Sequence, residues 1–213
     1  MSGAETRALT VLNGERATTR LASLPHPPLG GIIVKTPLTQ GEYEALKGAM
    51  PTPRDRLLLK YLRATGFRIS ECLKLTPSLL GGAHDYCVLV RRGKRRVKGK
   101  RVDGWERWPI APEVAQEIQD HIHYHRVGLT DPVFAVSSRQ VRRVFAAAGQ
   151  RALGRDVNPH QVRGLYVTSL VDAGIPLAVA ARMVGHSDER TTLKHYVANE
   201  WDRIVAIQRR VRV

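Results

Sequence analysis

Apolar residues recur every three or four positions along most of this chain, which is the spacing of helices that pack one side on a core. In one such stretch, Leu57, Leu58, Tyr61 and Leu62 fall on a single helix face. The pattern predicts helices over residues 39–50, 54–64, 69–75, 112–126, 138–148, 160–173, 176–184 and 189–195, and an amphipathic segment over residues 200–211.

Polar and glycine signals bound several of these helices. Thr39 and Glu42 have the spacing of a capping box, in which each side chain binds the other residue's backbone N–H. Ser138 stands where a helix cap is expected, and Pro112 suits a first helical turn. Gly66 is expected to end the helix before it.

Two stretches, residues 86–90 and 102–110, are rich in β-forming residues. Between them, residues 91–101 hold almost nothing but cations and glycine, which predicts a basic β-hairpin with a basic loop. The chain is therefore predicted to be mainly α with a small antiparallel β-sheet, an α+β fold. Residues 1–37 mix weak apolar stretches with Ser, Thr, Gly and Pro, so we expect a flexible N-terminal arm or linker before one domain over residues 38–213.

Charge narrows the class of partner. Thirty-four Lys and Arg oppose 19 Asp and Glu, a net charge of +15, which favours a polyanion. A solvated basic surface or an RNA-binding protein would have the same balance. The aromatic content of 6% leaves few platforms for stacking single-stranded bases, which disfavours the RNA reader.

Other features exclude several classes. The two cysteines, Cys72 and Cys87, have no metal-ligand spacing and indicate a reducing compartment. No apolar run approaches the ~20 residues of a membrane span, and the first residues lack a signal-peptide pattern. We expect a cytoplasmic protein, associated with DNA and not with a membrane.

Candidate chemistry is scattered along the chain. Arg68 follows a glycine turn at a helix start, and His160 and Arg163 share one face of a helix, both suited to binding a phosphate. His186 follows a glycine, and Tyr196 stands among basic residues. Taken singly, each has an ordinary interpretation, such as a surface ion pair, a structural histidine or a packed tyrosine.

The order of these motifs is more informative than any one of them. Thr-Gly-x-Arg-x-Ser-Glu, a lysine-bearing hairpin, His-x-x-Arg, Gly-His-Ser and Thr-Thr followed by Tyr closely resemble the catalytic domain of tyrosine recombinases of the phage integrase family, over about residues 37–205. The resemblance implies the tyrosine recombinase catalytic-domain fold and a site-specific recombinase, which cleaves and rejoins DNA through a 3′-phosphotyrosyl intermediate.

The resemblance also implies roles for single residues. Arg68 and Arg163 would clamp the scissile phosphate, Glu71 would steady the first arginine, and His186 would donate a hydrogen bond to the phosphate. Arg91, Arg92, Arg95, Arg96, Lys98 and Lys100 would bind DNA.

The same resemblance implies the proton transfers. Tyr196 would be the nucleophile, and His160 would help to remove its proton. Lys94 would protonate the leaving 5′-oxygen, although the hairpin is longer than usual and Lys98 or Lys100 are open alternatives. No metal and no other cofactor is expected, because positioning and charge stabilisation account for most of phosphoryl transfer.

The chain departs from the family pattern at three points. Gly164 replaces a second histidine, Tyr196 lies one residue further from the Thr-Thr pair than in many relatives, and there is room for only a short arm before the catalytic domain. Full clamping of double-stranded DNA would then need a homo-oligomer, such as a tetramer formed on DNA from free monomers, or an accessory DNA-bending protein. The segment from about residue 199 is expected to exchange between protomers. A type IB topoisomerase-like nicking-closing enzyme and a catalytically silent DNA-binding regulator are alternatives.

Overall fold

The structure, a computed structural model, describes residues 38–82, 85–97 and 100–184, and of residues 92–97, 100–103 and 182 it describes the backbone alone. The predicted arm over residues 1–37, the helix over residues 189–195 and the exchange segment lie outside the described residues. The elements in chain order are α1 (Gln40–Gly48), α2 (Pro53–Thr65), α3 (Ile69–Cys72), a 3-10 turn (Pro77–Leu79), β1 (Cys87–Val97), β2 (Lys100–Pro109), α4 (Pro112–His125), α5 (Ser138–Leu153), α6 (Pro159–Asp172) and α7 (Leu177–Met183).

The capping box predicted at α1 and the glycine predicted to end α2 are confirmed. The backbone N–H of Glu42 donates to Thr39 Oγ1 over 3.2 Å, and the backbone N–H of Thr39 donates to Glu42 Oε2 over 2.8 Å. Thr52 caps α2 in the same way, through a 3.1 Å bond from the backbone of Asp55. Gly66 ends α2 in the left-handed conformation, with a φ of 62°. These helix ends therefore follow from local polar or glycine signals.

The prediction for α5 was wrong at both ends. Ser137, and not Ser138, is the cap, since Ser137 Oγ accepts from the backbone of Gln140 over 3.2 Å. The helix was expected to stop at about Ala148, but it continues through Gly149 and ends at Leu153. A Cβ on Gly149 would lie 2.6 Å from the carbonyl oxygen of Arg155, so this glycine permits close packing of the following segment and does not break the helix.

The basic hairpin is present, but its strands are longer than predicted. β1 and β2 pair antiparallel through most of the basic segment, with a register shift between Arg92 and Arg95. Residues 91–97 and 100–101 are therefore strand and not loop. Strand pairing uses backbone groups, so a run of cations continues the ladder wherever the side chains need no burial. On the inner face Val88 and Val90 are buried.

The core is centred on α2, in which Leu58, Leu59 and Leu62 are fully buried. The rings of Tyr61 and Phe67 meet edge to face with their centres 6.0 Å apart. Trp108 of β2 packs on Phe67 at 5.8 Å and joins the hairpin to this core. α2 also packs along α6, which brings the end of α2 next to the start of α6.

Among the described residues, no helix is both long enough and apolar enough to cross a membrane.

Candidate active site

The turn between α2 and α3 is built from buried residues and presents Arg68. The Thr65 hydroxyl donates to the carbonyl oxygen of Tyr61 over 2.7 Å and accepts from the backbone of Phe67 over 3.3 Å. Phe67 is only 1% exposed and anchors the turn in the core. Gly66, between these two residues, reverses the chain with its positive φ. Arg68 is then the residue that precedes the first turn of α3.

Arg68 is paired with Glu71 through two contacts. Its backbone N–H donates to Glu71 Oε2 over 2.7 Å, and its Nη1 donates to Oε1 over 3.0 Å. The Glu71 side chain is 9% exposed, whereas that of Arg68 is 36% exposed. The carboxylate is thus fixed below the surface, and the guanidinium that it orients is accessible from solvent.

Arg163 is buried on α6, with 3% exposure, although it carries a permanent charge. Its Nη1 donates to the carbonyl oxygen of Gly66 over 2.8 Å, and its Nη2 donates to the carbonyl oxygen of Val184. Nη1 also lies 4.0 Å from Glu71 Oε2. A buried guanidinium needs such partners, because an unpaired charge away from water is strongly unfavourable.

Glu71 therefore lies between both predicted phosphate-binding arginines. Its Oε1 contacts Arg68, and its Oε2 faces Arg163. The three side chains carry two positive charges and one negative charge, so the group keeps a net positive charge that suits an oxyanion at the surface. We call Arg68, Glu71 and Arg163 the arginine–carboxylate cluster.

His160 lies in the first turn of α6, three residues before Arg163. Asn158 caps this helix, accepting from the backbone of Gln161 over 3.3 Å, and Gln161 Oε1 accepts from the backbone of Asn158 over 3.1 Å. The His160 side chain is exposed, in contrast to the buried Arg163. The two predicted residues thus share the start of one helix but differ in their access to solvent.

The structure describes the remaining predicted site residues only in part. Arg91, which is exposed, lies on β1, and β1 also carries the backbone of Arg92, Lys94, Arg95 and Arg96, while Lys100 begins β2. Lys98, His186 and Tyr196 lie outside the described residues. Within the part of the chain that the structure covers, no three His, Cys, Asp or Glu side chains are grouped as a metal site would require.

Three features of the site have no signal in the sequence motifs. The carbonyl groups of Gly66 and Val184 hold Arg163, and any residue type supplies a carbonyl. Cys72 is fully buried in this region, and burial first, with the charge of Glu71 adding to it, raises the pKa of its thiol well above its ordinary value. Tyr166 is partly buried and packs its ring on Gly66.

The described fold and this site can be compared with known proteins. The family model of the phage integrase family matches residues 37–203. The tyrosine recombinase XerC of Pseudomonas fluorescens is 25% identical over 175 residues, which cover 78% of this chain and 57% of that protein. The tyrosine recombinase XerD of Pseudomonas aeruginosa is 30% identical over 184 residues, covering 78% and 58%. The chain thus spans little more than half the length of these relatives.

Solved structures share the fold. The crystal structure of XerA recombinase superposes with a TM-score of 0.67 at 21% identity, covering 88% of this chain and 68% of that one. The Tn1549 transposon integrase in complex with transposon right end DNA gives a TM-score of 0.60 at 20% identity, covering 83% and 66%. The predicted fold, mainly α with one small antiparallel sheet, is confirmed as that of the tyrosine recombinase catalytic domain. Because the family model covers most of its length, this chain belongs to the phage integrase family.

Proposed function

We propose that this chain is a site-specific recombinase that cleaves and rejoins double-stranded DNA through a phosphotyrosyl bond to Tyr196. The observation that carries the proposal is the arginine–carboxylate cluster, in which the mostly buried carboxylate of Glu71 lies between the guanidinium groups of Arg68, just before α3, and Arg163, on α6. Guanidinium groups bind phosphate in a bidentate manner and remain charged at any physiological pH. Membership of the phage integrase family supports the same reaction.

In the proposed first step, the Tyr196 hydroxyl attacks the scissile phosphorus while the bond from phosphorus to the 5′-oxygen breaks. His160 accepts the tyrosine proton, and Lys94 donates a proton to the departing oxygen, with Lys98 and Lys100 as alternatives. The new phosphotyrosyl bond conserves the energy of the broken one, so a 5′-hydroxyl can attack it and rejoin a strand. His186 would hydrogen-bond the phosphate in both steps.

The cluster would act on the charge that develops on the non-bridging oxygens. Preorganised charges stabilise such a transition state most when they are fixed before the substrate arrives. Arg163 meets this condition, since two backbone carbonyls and Glu71 surround its guanidinium group. The proposed chemistry therefore needs no metal ion, and cleavage should continue in excess chelator.

We further propose that residues 38–213 form the catalytic domain after an arm of residues 1–37, and that the protein binds double-stranded DNA as a homo-oligomer, such as a tetramer. The segment from about residue 199 would pack on a neighbouring protomer, and an accessory DNA-bending protein would help to close the complex. Truncation after Ala198 should leave the fold intact and weaken assembly on DNA, as measured by mobility shift. Unchanged assembly would contradict the role of this segment.

A suicide substrate tests the activity itself. The protein is mixed, without metal, with a nicked DNA duplex that carries the recombination junction of the genetic element encoding the protein. A denaturant-resistant protein–DNA adduct is then sought on a gel. Tyr196→Phe should abolish the adduct. An adduct that persists in this variant would assign the nucleophile elsewhere.

Two further outcomes would replace the proposed function by its alternatives. Tight, salt-sensitive binding with no adduct would indicate a DNA-binding regulator. Relaxation of supercoils without dependence on sequence would indicate a nicking-closing enzyme of the topoisomerase IB kind.

A further inference from the structure

Tyr166 lies one helical turn after Arg163 on α6, and both residues contact Gly66. Arg163 Nη1 donates to the Gly66 carbonyl oxygen over 2.8 Å. The Tyr166 ring covers the other side of the glycine so closely that a Cβ there would lie 2.2 Å from Cδ1, 2.7 Å from Cε1 and 2.9 Å from Cγ. Two neighbouring turns of α6 therefore hold one residue of the α2–α3 turn.

The orientation of Gly66 is otherwise fixed mainly by its backbone. Its N–H donates to the carbonyl oxygen of Leu62 over 2.9 Å, and its φ of 62° lies in a region that glycine adopts without steric cost. Rotation of the peptide after Gly66 would swing the carbonyl away from Arg163. A flat ring in van der Waals contact with the Cα opposes that rotation, because the backbone could not turn without displacing the ring.

We infer that Tyr166 is a positioning residue, which holds the Gly66 carbonyl where it orients the guanidinium group of Arg163. The inference rests on the proposed function, in which Arg163 binds the scissile phosphate. The ring and not the hydroxyl group carries the role, because the atoms nearest to Gly66 are ring carbons. Tyr166 itself needs no contact with DNA.

The same pair of helices offers a matched control. Ser169, one turn further along α6, accepts a hydrogen bond from Arg63 Nη2 of α2 over 2.8 Å. Ser169→Ala therefore removes a link between α2 and α6 without touching Gly66. A general weakening of the packing between α2 and α6 should also appear in Ser169→Ala. Displacement of the Arg163 guanidinium group should not.

The experiment compares Tyr166→Phe, Tyr166→Leu and Ser169→Ala in single-turnover cleavage of the suicide duplex at saturating protein, with DNA affinity and thermal unfolding measured alongside. Tyr166→Phe should cleave close to the wild-type rate. Tyr166→Leu should cleave about 10- to 100-fold more slowly, the range expected for loss of an orienting contact, with its DNA affinity unchanged. Ser169→Ala should unfold at a lower temperature yet keep its cleavage rate.

A second substrate separates positioning of charge from other defects. When a neutral methylphosphonate replaces the scissile phosphate, a guanidinium group has less charge to neutralise. The factor by which Tyr166→Leu cleaves more slowly than the wild-type protein should then be smaller on the methylphosphonate than on the phosphate. A deficit of equal size on both substrates, a wild-type rate in Tyr166→Leu, or an equal loss in Ser169→Ala would overturn the inference.

Failure of the proposed function is distinguished by a readout that needs no cleavage. If the wild-type protein forms no adduct, the proposed function fails, and the guanidinium N–H signals of Arg163 are compared by NMR with ¹⁵N-arginine, assigned from Arg163→Lys. A change of these signals in Tyr166→Leu but not in Ser169→Ala supports the positioning role. Signals that stay unchanged in Tyr166→Leu overturn it.

Discussion

The energetic effect of the close contact between Gly66 and Tyr166 can be measured, because the chain contains a second glycine with nearly the same backbone conformation. Gly66 and Gly154 both end a helix, with φ values of 62° and 65°. Each donates its N–H to the carbonyl four residues earlier, over 2.9 Å and 3.1 Å. A Cβ at Gly154 would meet nothing within 4 Å, whereas at Gly66 it would overlap the ring of Tyr166.

The two alanine substitutions share their backbone terms and should therefore differ mainly by the steric term at Gly66. Holding alanine in the left-handed region costs about 1–2 kcal/mol at either position. The entropy that alanine removes from the unfolded chain is also common to both positions. At Gly66 the ring must in addition retreat by roughly 1 Å, and overpacking of this kind costs about 1–3 kcal/mol. We expect Gly66→Ala to lower the free energy of unfolding by about 1–3 kcal/mol more than Gly154→Ala does.

Urea denaturation of both variants at one pH provides the comparison, and the double variant of Gly66→Ala with Tyr166→Leu provides the internal check. In the leucine background, the penalty at Gly66 should fall towards that at Gly154. If Gly66→Ala and Gly154→Ala lose the same free energy of unfolding to within about 0.5 kcal/mol, the ring does not press on Gly66 and the reasoning fails.

Three further predictions concern single side chains. Glu71→Gln should lower the free energy of unfolding by about 1–3 kcal/mol, because two guanidinium groups lose a charged acceptor, and should also slow cleavage; unchanged stability in urea would contradict the pairing. Burial, together with neighbouring positive charges, lowers the pKa of His121 below its ordinary 6.5, so its stabilising contribution is complete above pH 6.5 and declines as the pH falls below it. His121→Gln should flatten the dependence of unfolding free energy on pH; a slope equal to that of the wild-type protein would refute the assignment. A bridging 5′-sulfur, which leaves without a proton, should restore cleavage to Lys94→Ala and not to Lys100→Ala if Lys94 is the general acid, whereas rescue of Lys100→Ala would move that role.

Local signals predicted the helix boundaries well where the boundary residue acts within its own segment of the chain. Thr39 with Glu42, and Gly66 after α2, are such cases. The predictions failed where two uses compete. The helix that was expected to end near Ala148 continues through Gly149, which provides space for the chain at Arg155, and the cations after Val90 were expected in a loop but continue a strand. A single sequence does not distinguish these uses, since both depend on which segment packs alongside.

In the candidate site, too, some contacts follow from local spacing along the sequence, whereas others depend on which distant segments pack together. The pairing of Arg68 with Glu71 follows from a spacing of three residues at a helix start, so sequence alone predicts it. The link from Glu71 to Arg163, and the carbonyl acceptors at Gly66 and Val184, join segments that are far apart in the chain. They arise only when α2, α6 and the end of α7 pack together. Burial of Arg163 is likewise a tertiary property that its motif does not encode.

The two carbonyl contacts of Arg163 also bear on how this chain tolerates mutation. One guanidinium group joins the end of α2 to the residue that follows α7, so it serves as a structural tie between segments as well as the proposed phosphate ligand. An ammonium group has its donors on a single atom and does not span two carbonyls in the fixed geometry of a planar fork. Lysine at this position would keep the charge and lose the tie. Substitution at residue 163 is therefore constrained both by the fold and by the proposed phosphate binding, and selection for a folded chain alone would preserve the arginine.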